Sequence, residues 1–355
     1  MTIKVFYTWS QSESGIKYDP GFKKEITWDI PLLEGYDDTF VNNTSADPGS
    51  HHFKGIVNPT LIAEIEAWKP DALLVFGWAF KSHLKCLRYF HKKLPLLFRG
   101  DSTLLDEQPG IKMIARRLFL RWVYQHVDKA LYVGTQNKRY YLAHGLKENQ
   151  LILAPHAIDN ERFYDTENNY ARKAEAWRAQ LTIPNTSVVF LYAGKLEAKK
   201  GIAVLIDAFL SVNDPVNHLV IVGNGPLEER LKMQAAGSAH IHFIGFQNQR
   251  MMPVVYRLGD VFVLPSVGPG ETWGLGVNEA MACGKAVVVS DKAGCAVDLV
   301  RHGENGYVFA AGDAGDLADK LGRFKSVEQA LEMGERSGEI IKGYSLQRVA
   351  EAIRF

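Results

Sequence analysis

The 355-residue chain reads as an α/β protein built from two doubly wound domains. Three observations predict this. Short β-branched or aromatic runs alternate with segments of helical period; several runs are apolar almost throughout, as parallel strands covered by helices on both faces must be; and one polar interval interrupts the rhythm, which then restarts. A hydrophobic content of 46% is enough for two cores of ordinary size.

Taken in order, the first-half strands are expected at "KVFYTW", "TFVN", "ALLVFG", "PLLFRGD", "KALYVGT" and "LILAP", with helices over Asn58 to Trp68, Phe80 to His91, Gly110 to His126 and Asn137 to Ala143. The polar stretch 159–184 reads as a connection holding one short helix. The second half continues with "SVVFLYAG", "HLVIVG", "IHFIG", "VFVLP", "AVVVS" and "GYVF". Helices are expected between them near Gly201 to Val212, Leu227 to Ala236, Met251 to Leu258, Leu275 to Cys283 and Ala314 to Phe324. This divides the chain into domains at 1–165 and 166–340, with 341–355 as a last helix and a candidate to return to the first domain. Open sheets of this kind bind ligands beyond the carboxyl ends of their strands, so the cleft between two such domains is the expected working site.

Composition narrows the function. With 41 basic and 40 acidic side chains the formal charge is +1, so no global field favours nucleic acid. Cys86, Cys283 and Cys295 are scattered and odd in number, which argues against a disulfide framework and for a reducing compartment. No signal sequence or long apolar run is apparent, and the expected location is the cytoplasm, either free or peripheral at the inner membrane face.

Three strand exits in the second half carry close-approach glycines. "FLYAGKLEAKKG" supplies Lys195, Lys199 and Lys200 before a helix that opens at Gly201, an arrangement suited to a diphosphate, although it lacks Walker order. "GNGPLEER" holds Gly223 and Gly225 before a helix start, and "HFIGFQ" holds Gly245 and Phe246, which are placed to border a flat ring. Each fragment alone reads equally as a solvated turn or a well-capped helix. "GETWGLGVNEAMACGKAVVVSD" then sets Glu271 in a glycine-rich loop and Glu279 about a turn into the next helix. Carboxylates there can accept from sugar or ribose hydroxyls. The bland alternative is two solvated acids.

Together these motifs resemble the family 4 retaining nucleotide-sugar glycosyltransferases of GT-B fold, in which two Rossmann-like domains face across a cleft. "ETWGLGVNE" matches the family's E-x7-E hallmark. "YAGKLEAKKG" matches its G-R-x4-K-G element with Lys195 in place of arginine, which keeps the charge and loses a bidentate fork. "VGNGP", "FIGF" and "ENGYVF" match further segments. The likeness is strong over Ser187 to Phe309 and weaker in the first half. It implies that Lys195 and Lys200 stabilise the departing diphosphate and that Glu279 holds the ribose. Glu271 would contact the donor sugar, assisted by backbone at Trp273, Gly274 and Leu275, while Phe246 and neighbouring backbone frame the base and Gly225 belongs to the donor loop. The resemblance implies no cofactor and no metal. The donor would be a UDP- or GDP-sugar, and the partner a hydroxyl acceptor such as a saccharide or lipid-linked saccharide.

The first half departs from the family pattern. Instead of a glycine pair after the first strand it has "TWSQSESGIKYDPGF", where Ser12, Ser14 and Gly15 are the candidates to line the cleft. Trp28 and Asp29, within "ITWDIPLLEGYD", are candidate acceptor contacts, or simply part of a packed Ω-loop. Where related enzymes carry a histidine, this chain has Arg99, Asp101 and Ser102. Asp101 is the candidate catalytic acceptor of a proton or hydrogen bond, with a surface turn as the plain alternative. His156, in "LAPHAID", corresponds to a position that shapes the cleft. His51 and His52 read as loop residues. The helix "IKMIARRLFLRWVYQHV" is expected to cover the sheet with its basic face in water, and an anionic acceptor or membrane surface is the rival reading. Two other classes stay open: a nucleotide-sugar epimerase, and a non-catalytic protein that binds a nucleotide or glycan.

Overall fold

A computed structural model of the protein describes residues 2–9, 17–19, 21–22 and 24–354; Ser12, Ser14 and Gly15 lie outside the described residues. Two compact units emerge, Met1–Lys17 with Ile30–Ala154, and Tyr18–Asp29 with Pro155–Phe355. The division therefore falls before residue 155 rather than at 165/166, for a physical reason. Asn160 donates to the carbonyls of Ile341 and Tyr344, and Arg257 donates to Phe163 O at 2.7 Å and pairs with Asp165. Ile158 also bridges to Ser345, just ahead of the last helix, Leu346–Ile353, which belongs to the second unit and not the first.

Along the chain, β1 (Lys4–Tyr7), β2 (Lys17–Asp19), β3 (Lys24–Ile26) and β4 (Asp37–Phe40) come first. β5 (Leu73–Phe76), β6 (Leu96–Arg99), β7 (Lys129–Tyr132) and β8 (Leu151–Leu153) complete the first half. β1 and β4 pair in parallel, while β5 to β8 form a parallel sheet in chain order. β6 is buried from Leu96 to Phe98 and packs on Leu87, Leu120 and Tyr141, so burial of apolar strand residues under helices holds this unit. β2 and β3 form a separate two-stranded ribbon, and residues 18–29 belong to the second unit.

In the second unit β9 (Val189–Ala193), β10 (His218–Val222), β11 (Ile241–Ile244), β12 (Val261–Leu264), β13 (Ala286–Ser290) and β14 (Gly306–Phe309) make a parallel sheet in the order β11-β10-β9-β12-β13-β14. Counted from β9 this is the 3-2-1-4-5-6 order of a doubly wound nucleotide-binding sheet, whose switch point falls between β9 and β12. Pairing at that junction is short. Only Val261 with Phe190 and Phe262 with Leu191 are in register, whereas β9 and β10 pair along their whole length. β10 and β13 are buried at every residue, which explains their nearly unbroken apolar sequence. Helices the sequence did not delimit include Asn169–Gln180, inside the polar connection, the short Ala296–Leu299, and Val327–Ile341, started by Ser326 accepting from Gln329 N. All three cysteines are buried thiols.

One buried histidine is expected to make the second unit sensitive to acid. His218 opens β10, its Nδ1 2.9 Å from His242 Nε2 and its ring 4.6 Å from that of His240. Burial, and then the neighbouring histidines, push its pKa down to about 4. Below its unfolded pKa of ~6.5 the unfolded chain binds a proton that the folded one refuses, so stability is lost as pH falls from there toward 4. The melting temperature is expected to drop across that window, and His218→Gln to flatten the profile. Superimposable profiles for the two proteins would refute the assignment.

Candidate active site

Lys195, Lys200 and Glu271, three of the residues expected in the donor site, lie on the loops that leave the two strands of the switch point. After β9 the chain passes through Gly194 and Lys195 to a short 3-10 turn, Ala198–Lys200, before the helix Ile202–Val212. After β12 it runs through Pro265 and Ser266 to Glu271 and the helix Leu275–Ala282. Gly201 (φ 68°) joins the two loops, since a Cβ there would lie 2.0 Å from Pro265 O, and Val267 N donates to Lys199 O at 2.9 Å. This holds the lysine and glutamate loops against one another.

The consequence is direct. Lys200 Nζ donates to Glu271 Oε2, which also accepts from Ser266 Oγ at 2.7 Å, and both partners of the ion pair are largely buried. Glu279, on the following helix, accepts from Tyr256 OH at 2.6 Å. Its carboxyl is raised above the ordinary glutamate range by burial, which outweighs the Tyr256 hydrogen bond and the charge of Arg162. Nothing in the sequence singles out Ser266, Tyr256 or Arg162. Tyr256 follows the apolar run Pro253–Val255 and looks like plain core, and Arg162 sits in the connection, so neither carries a local signal.

Other expected donor residues have different immediate partners. Lys195 Nζ lies 2.8 Å from Asp19 Oδ1, in the ribbon of residues 18–29. Phe246 N donates to Asn224 Oδ1, and the Phe246 ring meets Phe22 edge-on at 4.9 Å with Lys24 Nζ 5.3 Å above it. Gly225 is required by neighbouring backbone, because a Cβ would stand 2.6 Å from Leu196 O. The Trp273 side chain is buried, its Nε1 donating to Asn278, which in turn donates to His156 O. Gly274 has φ 105° at the helix entrance and Leu275 is exposed.

The residues expected on the acceptor side fall in different units. Arg99 ends β6 in the first unit and Asp101 follows it, Arg99 donating to Ala154 O at 2.8 Å with its pKa lowered chiefly by burial; Ser102 O accepts from Asn137. Trp28 and Asp29 belong to the second unit, where Asp29 Oδ1 accepts from Arg250 N at 3.0 Å and Asn248 donates to Thr27 O. His51 and His52 lie on a loop beside Asp47, each about 3 Å from its carboxylate. The helix Ile111–Tyr124 keeps Lys112, Arg116 and Arg121 in water, as expected, and packs into the core at its carboxyl end. It buries only Leu120, Val123 and Tyr124, and leaves Ile111, Ile114 and Leu118 more than half exposed. No helix among the described residues is long and apolar enough to cross a membrane.

Solved structures share this architecture. The Anabaena protein Alr3699/HepE, in complex with UDP and glucose, superposes with a TM-score of 0.67 at 18% identity, over 89% of this chain and 84% of that one. The fold is thus of the GT-B class, with two Rossmann-like units. Residues 173–353 match the family described as glycosyl transferases group 1, and the chain belongs to that family. Among curated relatives it is similar to the phosphatidyl-myo-inositol mannosyltransferase of Mycobacterium leprae, 38% identical over 39% of this chain and 37% of that protein. It is likewise similar to the D-inositol 3-phosphate glycosyltransferase of Corynebacterium jeikeium, 30% identical over 64% of this chain. The match spans 57% of that second relative, so the chain covers little more than a third to a half of these proteins' lengths.

Proposed function

We propose that this chain is a retaining family 4 glycosyltransferase that moves a sugar from a UDP- or GDP-sugar to a hydroxyl acceptor in glycan or glycoconjugate synthesis. The observation that carries this reading is the Lys200–Glu271–Ser266 cluster at the switch point of a nucleotide-type sheet. As the bond to the diphosphate lengthens, negative charge grows on the leaving phosphate and an oxocarbenium-like centre develops on the sugar. Lys200, held in place on Glu271, and Lys195, once the donor has taken the place of Asp19, stabilise the first change. Glu271 and adjacent backbone orient the donor sugar, Glu279 accepts from the ribose hydroxyls, and the backbone at Phe246 borders the base. Transfer on the same face lets the leaving phosphate receive the acceptor proton, with no covalent nucleophile. Asp101 in the first unit is the acceptor-side group. The donor class agrees with the UDP bound by the Anabaena structure, and a lipid-linked acceptor with the phosphatidylinositol named in the Mycobacterium relative. The exposed Ile111, Ile114 and Leu118, beside Lys112, also suit a protein that works at an anionic membrane surface from the cytoplasmic side.

The test is a screen of UDP-, GDP- and ADP-sugars for binding and slow hydrolysis, followed by acceptors offered with the preferred donor. Glu279→Ala is expected to weaken nucleotide binding by about ten- to a hundredfold, the range for losing a charge-assisted hydrogen-bond acceptor. Calorimetry with UDP and GDP reads it directly, and unchanged affinity removes Glu279 from the site. Because burial raises the Glu279 carboxyl, nucleotide affinity is expected to begin falling, on acidification, at a higher pH than an exposed glutamate would give.

A further inference from the structure

We infer that Asp19 is a built-in competitor for the donor's diphosphate, a positioning residue that occupies Lys195 until the donor takes its place. This rests on the donor-site reading above. Lys195 Nζ is 2.8 Å from Asp19 Oδ1 and 3.0 Å from Oδ2, so one ammonium faces both oxygens of one carboxylate. The pair is substantially shielded, the Asp19 side chain being 15% exposed and that of Lys195 33%. The same carboxylate also shapes its own turn: Oδ1 accepts from Gly21 N at 2.9 Å and from Phe22 N at 3.3 Å. Gly21 is buried, and a Cβ there would lie 2.3 Å from Glu197 Oε1 and 2.5 Å from the Lys195 side chain, so the turn sits directly on the loop that follows β9.

The neighbouring contacts reach the other strand exit expected to border the nucleotide. Phe22 lies edge-on to Phe246, Lys24 Nζ stands over the same ring, and Asn248 donates to Thr27 O. Asp19 is therefore held beside Lys195 by contacts on both sides of it. A diphosphate and a carboxylate on one ammonium repel each other, so an anion that engages Lys195 competes with Asp19 for it. Donor affinity is then the difference between two anions' hold on the same lysine, and Asp19 also keeps Lys195 neutralised while the site is empty.

Asp19→Asn separates charge from structure, because the amide oxygen can still accept from Gly21 N and Phe22 N while the negative charge is lost. Titration of the full chain with inorganic pyrophosphate and with UDP is expected to show about five- to tenfold tighter binding in Asp19→Asn than in wild type. Asp19→Glu is expected to restore the weaker value, and salt to narrow the gap. In the ligand-free protein, amine-labelling of Lys195 followed by peptide mass spectrometry is expected to run faster in Asp19→Asn. Equal or weaker pyrophosphate binding by Asp19→Asn, or no binding by either protein, overturns the inference. If wild type transfers sugar from a nucleotide donor while Asp19→Asn changes no affinity, the competitor role fails and the donor reading stands. If Asp19→Asn tightens pyrophosphate but no nucleotide-sugar is ever bound or used, the donor reading fails and the competition stands.

Discussion

Replacing Lys200 by alanine is expected to lower turnover with the preferred donor by about two to three orders of magnitude, with donor affinity changed only a few-fold. That is the scale on which removing one preorganised group aimed at developing charge slows an enzyme. The structure explains why the loss should be this severe. Lys200 is held by a short turn ahead of Gly201, and its ammonium rests on Glu271, itself tied down by Ser266. Truncation removes the cation and also leaves the Glu271 carboxylate uncompensated beside a departing anion, so two electrostatic effects act in the same direction. Glu271→Gln introduced into Lys200→Ala should recover part of the loss, and a double-mutant cycle on kcat would then show coupling between the two residues. A Lys200→Ala enzyme with wild-type kcat would remove Lys200 from the reaction.

The second large effect concerns folding. Asp260→Ala is expected to cost about 3–5 kcal/mol, the penalty for breaking a buried ion pair by deleting one partner. Asp260 is 4% exposed; its Oδ2 accepts from Arg178 at 2.7 Å and from Val189 N at 2.9 Å. Arg178 comes from the helix Asn169–Gln180 and is itself nearly buried, so this one carboxylate ties the connecting helix to the first strand of the second sheet. Its removal strands a guanidinium and an amide together. A urea melt should show a midpoint lowered by more than 1 M, given a slope of ~1–3 kcal/mol/M. Asp260→Asn, which keeps an acceptor for Val189 N, should lose less, and an unchanged midpoint for the alanine variant would rule out the claim.

How far these features were legible in the sequence depended on whether their cause was local. The parallel strands were readable because burial on both faces forces continuous runs such as "HLVIV" and "AVVVS". The helix Val327–Ile341 was not, although its buried residues keep a helical period. They are Ala330, Met333, Gly334, Ser337 and Ile341, and three of the five are too small or polar to register as an apolar stripe. Gly334 is there because the helix passes against Gly284, where a Cβ would come within 2.0 Å of its carbonyl, a fact of tertiary packing alone. In the site, the lysines and glutamates announced themselves through glycine-rich strand exits. Asp19 did not, since "KYDPGFKKE" is an ordinary polar stretch until Lys195 and Phe246 are brought beside it. The acceptor side was least legible, because Arg99 and Asp101 differ from the family pattern and Trp28 and Asp29 belong to the other unit.

The brief register between β9 and β12 has its own consequence. Two strands that part after two residues leave a fork in the sheet, and the Val267–Lys199 hydrogen bond spans its open end like a crossbar. An anion bound there, as proposed above, would meet backbone already held in place by that bond. The same frame leaves little latitude for the pair it holds: widening it at Gly201 would move Lys200 and Glu271 relative to each other, however well each side chain were preserved.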